Sequence, residues 1–333
     1  MTETKLRWGV ISTANIGRAA VNPAIRASSN GELLAVASRE EERAREFAEK
    51  WDIARHYGSY DALLDDASLD AVYIPLPNSM HREWTIRAAE KGKHILCEKP
   101  LALSAAECRE MDAAAAANGV KLMEAFMYRF HPRSAKVVEM VRAGVLGDLK
   151  LITSGFTFRL GNSDNVRLRP EMGGGSLMDV GCYCVNVSRT IAGAEPVEVQ
   201  AVSHQARSGV DEQMVGTLRF EDGLLAQFDC ALNMSRRETC VVAGTDAYLT
   251  VPSAFLPGTD DVVIQVQEGR DGQTEHTVAG VDEYRLMVEH FADCVLNDRP
   301  LRYTAEEAAR NMSVIAALYE SARRGGEAVE VQP

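Results

Sequence analysis

Leu6-Arg7-Trp8-Gly9-Val10-Ile11-Ser12-Thr13-Ala14-Asn15-Ile16-Gly17 is the stretch whose reading decides the fold. Leu6 to Ile11 is short and mostly apolar and predicts a buried strand, and Ile16 to Ala27 predicts a helix, bent by Pro23. Between them Ser12, Thr13, Ala14 and Asn15 make a tight turn of mostly small side chains. Strand, small-residue turn and helix open a dinucleotide-binding βαβ unit. There the backbone approaches a pyrophosphate, whose charge is held by the N–H groups and positive dipole end of the helix. The pattern G-x-G-x-x-G/A falls on Ser12, Ala14 and Gly17, so only the last glycine is kept. By itself such a turn fits any β-to-α junction as well as a nucleotide site.

Length and composition narrow the class. The chain has 333 residues, enough for two domains with sizeable cores, and its 46% hydrophobic and 25% charged residues are those of an ordinary globular protein. A net charge of -12 argues against nucleic acid or an anionic membrane as partner, since both favour a basic surface. No apolar run of about 18 residues is present to span a bilayer, and Met1 to Lys5 enters the first strand without a signal-peptide core, so a cytoplasmic location is expected. The seven cysteines are odd in number and scattered, which predicts reduced thiols. Cys182 and Cys184 have no histidine nearby in sequence, and no metal site is expected.

After the first helix, Glu32 to Ala37 predicts a strand covered on both faces, ending at Ser38-Arg39. An acidic residue near this point accepts from a ribose 2′-hydroxyl, whereas arginine accommodates a 2′-phosphate; Ser38 and Arg39 therefore favour NADP(H) over NAD(H). The alternative is that Arg39 only begins a charged helix, Glu40 to Lys50. Next come a segment at Ala54 to Tyr57, a helix from Tyr60 to Leu64 and a strand from Ala71 to Pro75. This alternation predicts a doubly wound parallel sheet. Ligands gather at the carboxyl ends of such strands, where Leu76, Asn78 and His81 fall, although Asn78 would also serve as a helix cap and His81 as a first-turn residue. Strand His94 to Cys97 leads to Glu98-Lys99-Pro100, with Lys99 held extended before a proline whose peptide bond is a cis candidate. Ser104 and Glu107 form a capping box for an alanine-rich helix, and strand Lys121 to Glu124 leads through Ala125 to Arg129-Phe130-His131 and a helix from Pro132 to Gly144.

From Leu149 longer strands take over: Leu149 to Phe158, Val197 to Gln205, Met214 to Phe220, Leu224 to Leu232 and Thr239 to Val242, with a turn signal at Glu221-Asp222-Gly223. Gly173, Gly174 and Gly175 precede a helix from about Ser176 to Ile191. Two helices, Glu283 to Leu296 and Ala305 to Arg323, the latter with a second capping box at Thr304 and Glu307, close the chain. The fold class is therefore α/β. An N-terminal Rossmann domain, 1–125, is followed by a C-terminal α+β domain with a mostly antiparallel open sheet, 126–333, whose last helices could pack back on the first domain.

The ordered motifs, namely the small-residue turn, Pro77-Asn78-x-x-His81, Glu98-Lys99-Pro100, Glu124-Ala125 with Arg129-Phe130, and Gly173-Gly174-Gly175 through Asp179 to Tyr183, resemble those of the glucose-fructose oxidoreductase family, also called Gfo/Idh/MocA. The resemblance spans nearly the whole chain. It implies nucleotide contacts from Ser12, Thr13, Ala14, Asn15, Ile16, Ser38, Arg39, Leu76, Asn78, His81, Glu98, Lys99 and Arg129, and a homodimer or homotetramer. Many relatives carry histidine where this chain has Tyr183. That departure resembles the branch holding sugar and dihydrodiol dehydrogenases.

Hydride transfer needs a nicotinamide, a substrate carbon held against it and a group that moves the alcohol proton. Asp179 and Tyr183, four apart in a predicted helix, share one face; Lys99 would come from the other domain. A lysine ammonium favours the phenolate of tyrosine, whose unperturbed pKa of about 10 is otherwise too high for a base near neutrality. Tyr183 is thus the expected acid/base, Lys99 the group that polarises the substrate oxygen and tunes Tyr183, and Asp179 the group that orients the substrate hydroxyl; Lys99 as proton donor stays open. Arg129, Arg159, Arg167, Arg169, Asn233 and Tyr284 are further candidates for a polyhydroxylated or anionic substrate. The expected activity is NADP(H)-dependent hydride transfer to or from a sugar or polyol, with aldose 1-dehydrogenase first. Sugar-ketone reductase, trans-dihydrodiol dehydrogenase, glucose-fructose oxidoreductase and a non-catalytic NADP-sensing protein are the rivals.

Overall fold

The computed structural model describes residues 4–161 and 164–332. Met1 to Glu3 of the N-terminal reading lie outside the described residues. The chain divides into two compact units, one of residues 1–127 with 282–309, the other of residues 128–281 with 310–333.

The first unit is a six-stranded parallel sheet in the order β3-β2-β1-β4-β5-β6, as the alternation of strands and helices predicts. In chain order its elements are β1 (Leu6–Ile11), α1 (Asn22–Ala27), β2 (Gly31–Ala37), α2 (Glu41–Lys50), β3 (Arg55–Tyr57), α3 (Tyr60–Leu64), β4 (Ala71–Ile74), α4 (His81–Glu90), β5 (His94–Cys97), α5 (Ala105–Ala117) and β6 (Leu122–Glu124). β4 is buried at every position, and β1 and β5 at all but one, which explains their near-continuous apolar runs. Gly9 lies mid-β1 because a Cβ there would come within 2.7 Å of Leu69 and 2.9 Å of Leu63.

The helix after β1 covers the expected span but is not uniform. Asn15 and Ile16 are α-helical, Gly17–Val21 is a π-helical turn, and α-helix resumes at Asn22, with Pro23 in the turn that follows. Proline has no N–H to donate and its ring collides with the carbonyl four residues back, so the chain widens ahead of it instead of merely bending.

The second unit contains α6 (Pro132–Arg142), β7 (Leu149–Arg159), α7 (Cys182–Ala192), β8 (Glu198–Gln205), β9 (Asp211–Arg219), β10 (Leu225–Ala231), β11 (Asn233–Gly244), β12 (Ala247–Pro252), β13 (Val262–Glu268) and β14 (Gly272–Val278). Helices α8 (Glu283–Leu296) and α9 (Ala305–Arg323) and the short β15 (Val329–Glu330) finish the chain. The nine-stranded sheet runs β14-β13-β12-β11-β7-β10-β9-β8-β15, antiparallel except for β10 on β7. Helix α8 belongs to the first unit and packs on α1, β1 and β2 through a buried stripe that includes Met287, Val288 and Phe291, the last 5.3 Å from the Trp8 ring. α7 packs against β7 and β10.

Candidate active site

In the first unit the turn after β1 is shaped by Ser12. It holds φ 110°, a region that favours glycine, where the dinucleotide pattern has its first glycine. Its hydroxyl donates to the Pro75 carbonyl at 3.4 Å and accepts from the Ala14 N–H at 3.2 Å, which fixes the turn against the end of β4. A Cβ on Gly17 would meet Asn22 Oδ1 at 3.5 Å and the Tyr73 and Pro75 side chains at 3.6 and 3.8 Å, ordinary contacts, so no packing inside the protein demands a glycine there. The start of the helix supplies N–H groups without intrahelical partners, which suits a pyrophosphate between Ser12 and Ile16.

Two arginines stand at the end of β2. Arg39 follows the buried Ser38, and Arg43, which the sequence reading passed over, donates from Nε to Thr13 Oγ1 at 2.9 Å. Burial pushes the Tyr60 phenol up, and both arginines partly offset that, so both cations act on the same spot. The signal for Arg43 was its place four residues after Arg39 in the first turns of a helix.

The loops at the ends of β4 and β5 are joined by His81. It is fully buried; Nδ1 lies 3.0 Å from the Pro100 carbonyl oxygen and Nε2 lies 2.8 Å from that of Leu76. Burial lowers its pKa and the carbonyls push partly back. No ring nitrogen is left for a nucleotide, and the expected direct contact from His81 is corrected: the ring points inward from the strand end and holds main chain. Asn78 opens a 3-10 turn, Asn78–Met80, which runs directly into α4. Lys99-Pro100 is cis. The Leu101 N–H donates to Glu124 Oε1 at 2.8 Å and the Lys99 N–H to Glu98 Oε2 at 3.3 Å. Glu98 Oε1 also accepts from the buried Tyr73 hydroxyl at 2.6 Å, and burial together with that carboxylate drives the Tyr73 phenol far up.

In the second unit the three glycines have separate reasons. Gly173 holds φ 73° and closes the 3-10 turn Pro170–Met172; a Cβ on Gly174 would lie 2.4 Å from the Arg167 carbonyl oxygen; Gly175 holds φ 118°, and its Cβ would lie 2.1 Å from Asp211 Oδ1. The helix expected from about Ser176 is continuous to Ala192, but Leu177–Gly181 within it is a second π turn, so Asp179 and Tyr183 are four apart across a widened turn. Arg167 Nε donates to Asp179 Oδ2 at 2.6 Å, which makes the carboxylate a fixed acceptor. The Tyr183 ring is buried among Phe156, Phe255 and Tyr128, with centroids 5.3, 5.3 and 5.8 Å away. Asp211, unread in the sequence, accepts from the Ser176 hydroxyl at 2.7 Å, the Leu177 N–H at 2.7 Å and the Tyr319 hydroxyl at 2.8 Å, beneath the turn that carries Asp179.

Several candidates fall elsewhere. Strand residues alternate between faces, and Phe156 packs on Tyr183, so Arg159 projects from the opposite face of β7. Asn233 pairs with Arg159 in register and shares that face. Both line a cavity of about 370 Å³ with Glu212 and Ser235, and the structure does not bring them to Asp179 and Tyr183. Arg169 is paired with Asp164. Tyr284 lies in the first unit on α8, one of the last helices, close enough to Tyr73 to act on its phenol. Arg129 is buried in the 3-10 turn Met127–Phe130. Among the described residues no group of three or more His, Cys, Asp and Glu is placed to hold a metal, and no helix is long and apolar enough to cross a membrane.

The NAD-binding Rossmann-fold model of the GFO/IDH/MocA oxidoreductase family matches residues 6–126, and the GFO/IDH/MocA C-terminal domain model matches residues 134–250. The chain belongs to the Gfo/Idh/MocA oxidoreductase family. Within the Gfo/Idh/MocA proteins it is 42% identical over 329 residues to D-xylose 1-dehydrogenase (NADP(+)) 2 of Haloferax volcanii, covering 98% of this chain and 100% of that one. It is 32% identical over 321 residues to the trans-1,2-dihydrobenzene-1,2-diol dehydrogenase of Danio rerio, covering 96% and 91%. The crystal structure of a 3-ketoreductase from Actinomadura kijaniata with NADP and TDP-benzene matches with a TM-score of 0.91 at 30% identity, over 96% of this chain and 98% of that one.

Proposed function

We propose that this protein is an NADP(H)-dependent oxidoreductase that transfers hydride to or from a sugar or related polyol, with aldose 1-dehydrogenase as its activity. The observation that carries the reading is the similarity, along the full length, to a D-xylose 1-dehydrogenase (NADP(+)). Arg39 and Arg43 beside the Ser12 turn support a 2′-phosphate at that end, and the glycine-like Ser12 turn ahead of a helix start supports a pyrophosphate. The bound dinucleotide supplies or accepts the hydride at its nicotinamide ring.

In this reading the first unit holds the nucleotide and the second the substrate, and Lys99, Asp179 and Tyr183 act on the substrate. Tyr183 moves the alcohol proton, Lys99 polarises the oxygen and favours the phenolate, and Asp179, held by Arg167, directs its carboxylate at a substrate hydroxyl. Val202, Val215, Leu225 and Tyr248 stand exposed on strands of the large sheet, which supports burial against a second copy in a dimer or tetramer. The protein works in the cytoplasm with its thiols reduced. Steady-state absorbance of reduced nicotinamide, with a panel of aldoses, polyols and dihydrodiols against NADP and NAD, tests the reading. Reduction of NADP by one aldose much faster than of NAD is the expected result; reduction only with a dihydrodiol, or only with NAD, refutes it. Lys99→Met and Tyr183→Phe should each keep NADP binding and lower turnover by about 100-fold or more, and unchanged turnover in both removes the assignment.

A further inference from the structure

We propose that His81 and Glu124 are positioning residues that grip the main chain on the far side of Pro100 and thereby set the place of Lys99. The inference rests on the catalytic reading of Lys99. His81 reaches the Pro100 carbonyl through Nδ1 at 3.0 Å, and Glu124 Oε1 takes the next peptide N–H, that of Leu101, at 2.8 Å. The two side chains come from different elements, α4 and the end of β6, and both are buried. The other nitrogen lies 2.8 Å from the Leu76 carbonyl at the end of β4; the neutral ring donates to one of the two carbonyls at a time, and the tautomer protonated on Nδ1 is the one that holds Pro100. A loop whose consecutive carbonyl and N–H are each held by a buried side chain has little freedom to shift, and a lysine one residue earlier inherits that register. Displacement of a reacting group by about 1 Å costs up to about 100-fold in rate, so the grip is worth more to turnover than to stability.

The two amide replacements of histidine separate this role from a merely structural one. The amide nitrogen of asparagine falls near the Nδ1 position and that of glutamine near the Nε2 position. His81→Asn therefore keeps a donor for Pro100, and His81→Gln keeps one for Leu76 only. His81→Gln should lower kcat about 10- to 100-fold while the NADP dissociation constant, read by fluorescence, stays within about threefold. His81→Asn should recover most of kcat even where its melting temperature is no higher than that of the glutamine variant. The same split is expected at Glu124, where Glu124→Gln keeps an acceptor for Leu101 and Glu124→Leu does not, and this pair decides the matter should His81→Gln not fold. Equal kcat for the asparagine and glutamine variants, or losses that follow melting temperature alone, overturn the proposal. Lys99→Met is the control: full turnover in that variant refutes the catalytic reading of Lys99 itself, whereas lost turnover there with wild-type kcat in His81→Gln and Glu124→Leu refutes only the grip.

Discussion

Asp211 is the most testable support of the candidate site. Replacing it by alanine removes the acceptor of three donors at once: the Ser176 hydroxyl, the Leu177 N–H and the Tyr319 hydroxyl. The hydroxyls can rotate, and Ser176 has Cys230 Sγ at 3.5 Å as a second neighbour, but the peptide N–H of Leu177 cannot turn elsewhere. One orphaned buried donor costs about 1–3 kcal/mol and two weakened hydroxyl bonds add to it, so Asp211→Ala should cost on the order of 3 kcal/mol. Asparagine behaves differently. Its oxygen can face Ser176 and Leu177 while its amide donates to the Tyr319 oxygen, and it carries no charge into a site where burial pushes the Asp211 carboxyl up against the pull of its donors. Asp211→Asn should therefore stay within about 1 kcal/mol of the parent. In thermal unfolding at neutral pH the alanine variant is expected to melt roughly 4 °C lower and the asparagine variant within about 2 °C. The pH dependence has a defined sign. A carboxyl raised in the folded state binds more protons folded than unfolded, so the stability of the parent relative to Asp211→Asn is greatest below the unfolded pKa and falls as pH rises through the raised one. Equal melting temperatures for the alanine and asparagine variants, or a difference that grows with pH, would refute the reasoning.

His131 caps α6 by accepting the Arg133 N–H on Nδ1 at 3.1 Å, and burial with the neighbouring Arg133 lowers its pKa to about 4. Folded His131 therefore binds fewer protons than unfolded His131 between about pH 4 and 6.5, and stability is full above that window and falls by up to about 3 kcal/mol as pH drops through it; His131→Asn keeps a cap, and its melting temperature should flatten across that window. Arg39→Ala and Arg43→Ala should each raise the KM for NADP about 10- to 100-fold, the worth of a charge-assisted phosphate bond, with little change for NAD; parallel losses with both nucleotides count against a 2′-phosphate at this end. All seven cysteines are buried, and burial holds Cys240 up to about 12, so a thiol reagent should titrate none in the native protein and seven in denaturant.

Much of the fold is legible because the first unit is built from locally consistent segments. Leu6–Ile11, Tyr60–Leu64, Glu283–Leu296 and Ala305–Arg323 all run between the residues that the sequence predicts. Thr304 caps α9 through the Glu307 N–H at 3.4 Å, and Ser104 caps α5 through the Glu107 N–H at 3.2 Å. In the Ser104 box the return bond differs, since Glu107 accepts from the Leu103 N–H at 2.9 Å instead of from that of the cap residue. β14 was not read from sequence because Gly272–Val278 is polar and exposed and has no apolar alternation to announce it. Asp211 was out of reach for another reason: its partners Ser176 and Tyr319 lie 35 and 108 residues away, and no local pattern joins them.

The misread site residues fail in a consistent way. Sequence places a residue at a strand end but not on a side of it. His81 stands at the carboxyl end of a strand, where ligands gather, yet turns inward between two carbonyls. Arg159 stands at the end of β7, yet period-2 alternation from Phe156 sends it to the other face, which the sequence already implied once Phe156 was known to meet Tyr183. The π turns carry the same lesson at the level of the backbone. Gly17–Val21 and Leu177–Gly181 fall on the two motifs that mark function, and neither widening shows in a pattern of apolar spacing, because a single i→i+5 turn shifts the helix face by less than one residue's arc. A site can therefore be located from sequence by which local rules it breaks, such as Ser12 in a glycine conformation. Its geometry must come from the contacts that enforce the break, here Pro75 on Ser12 and Asp211 under Gly175.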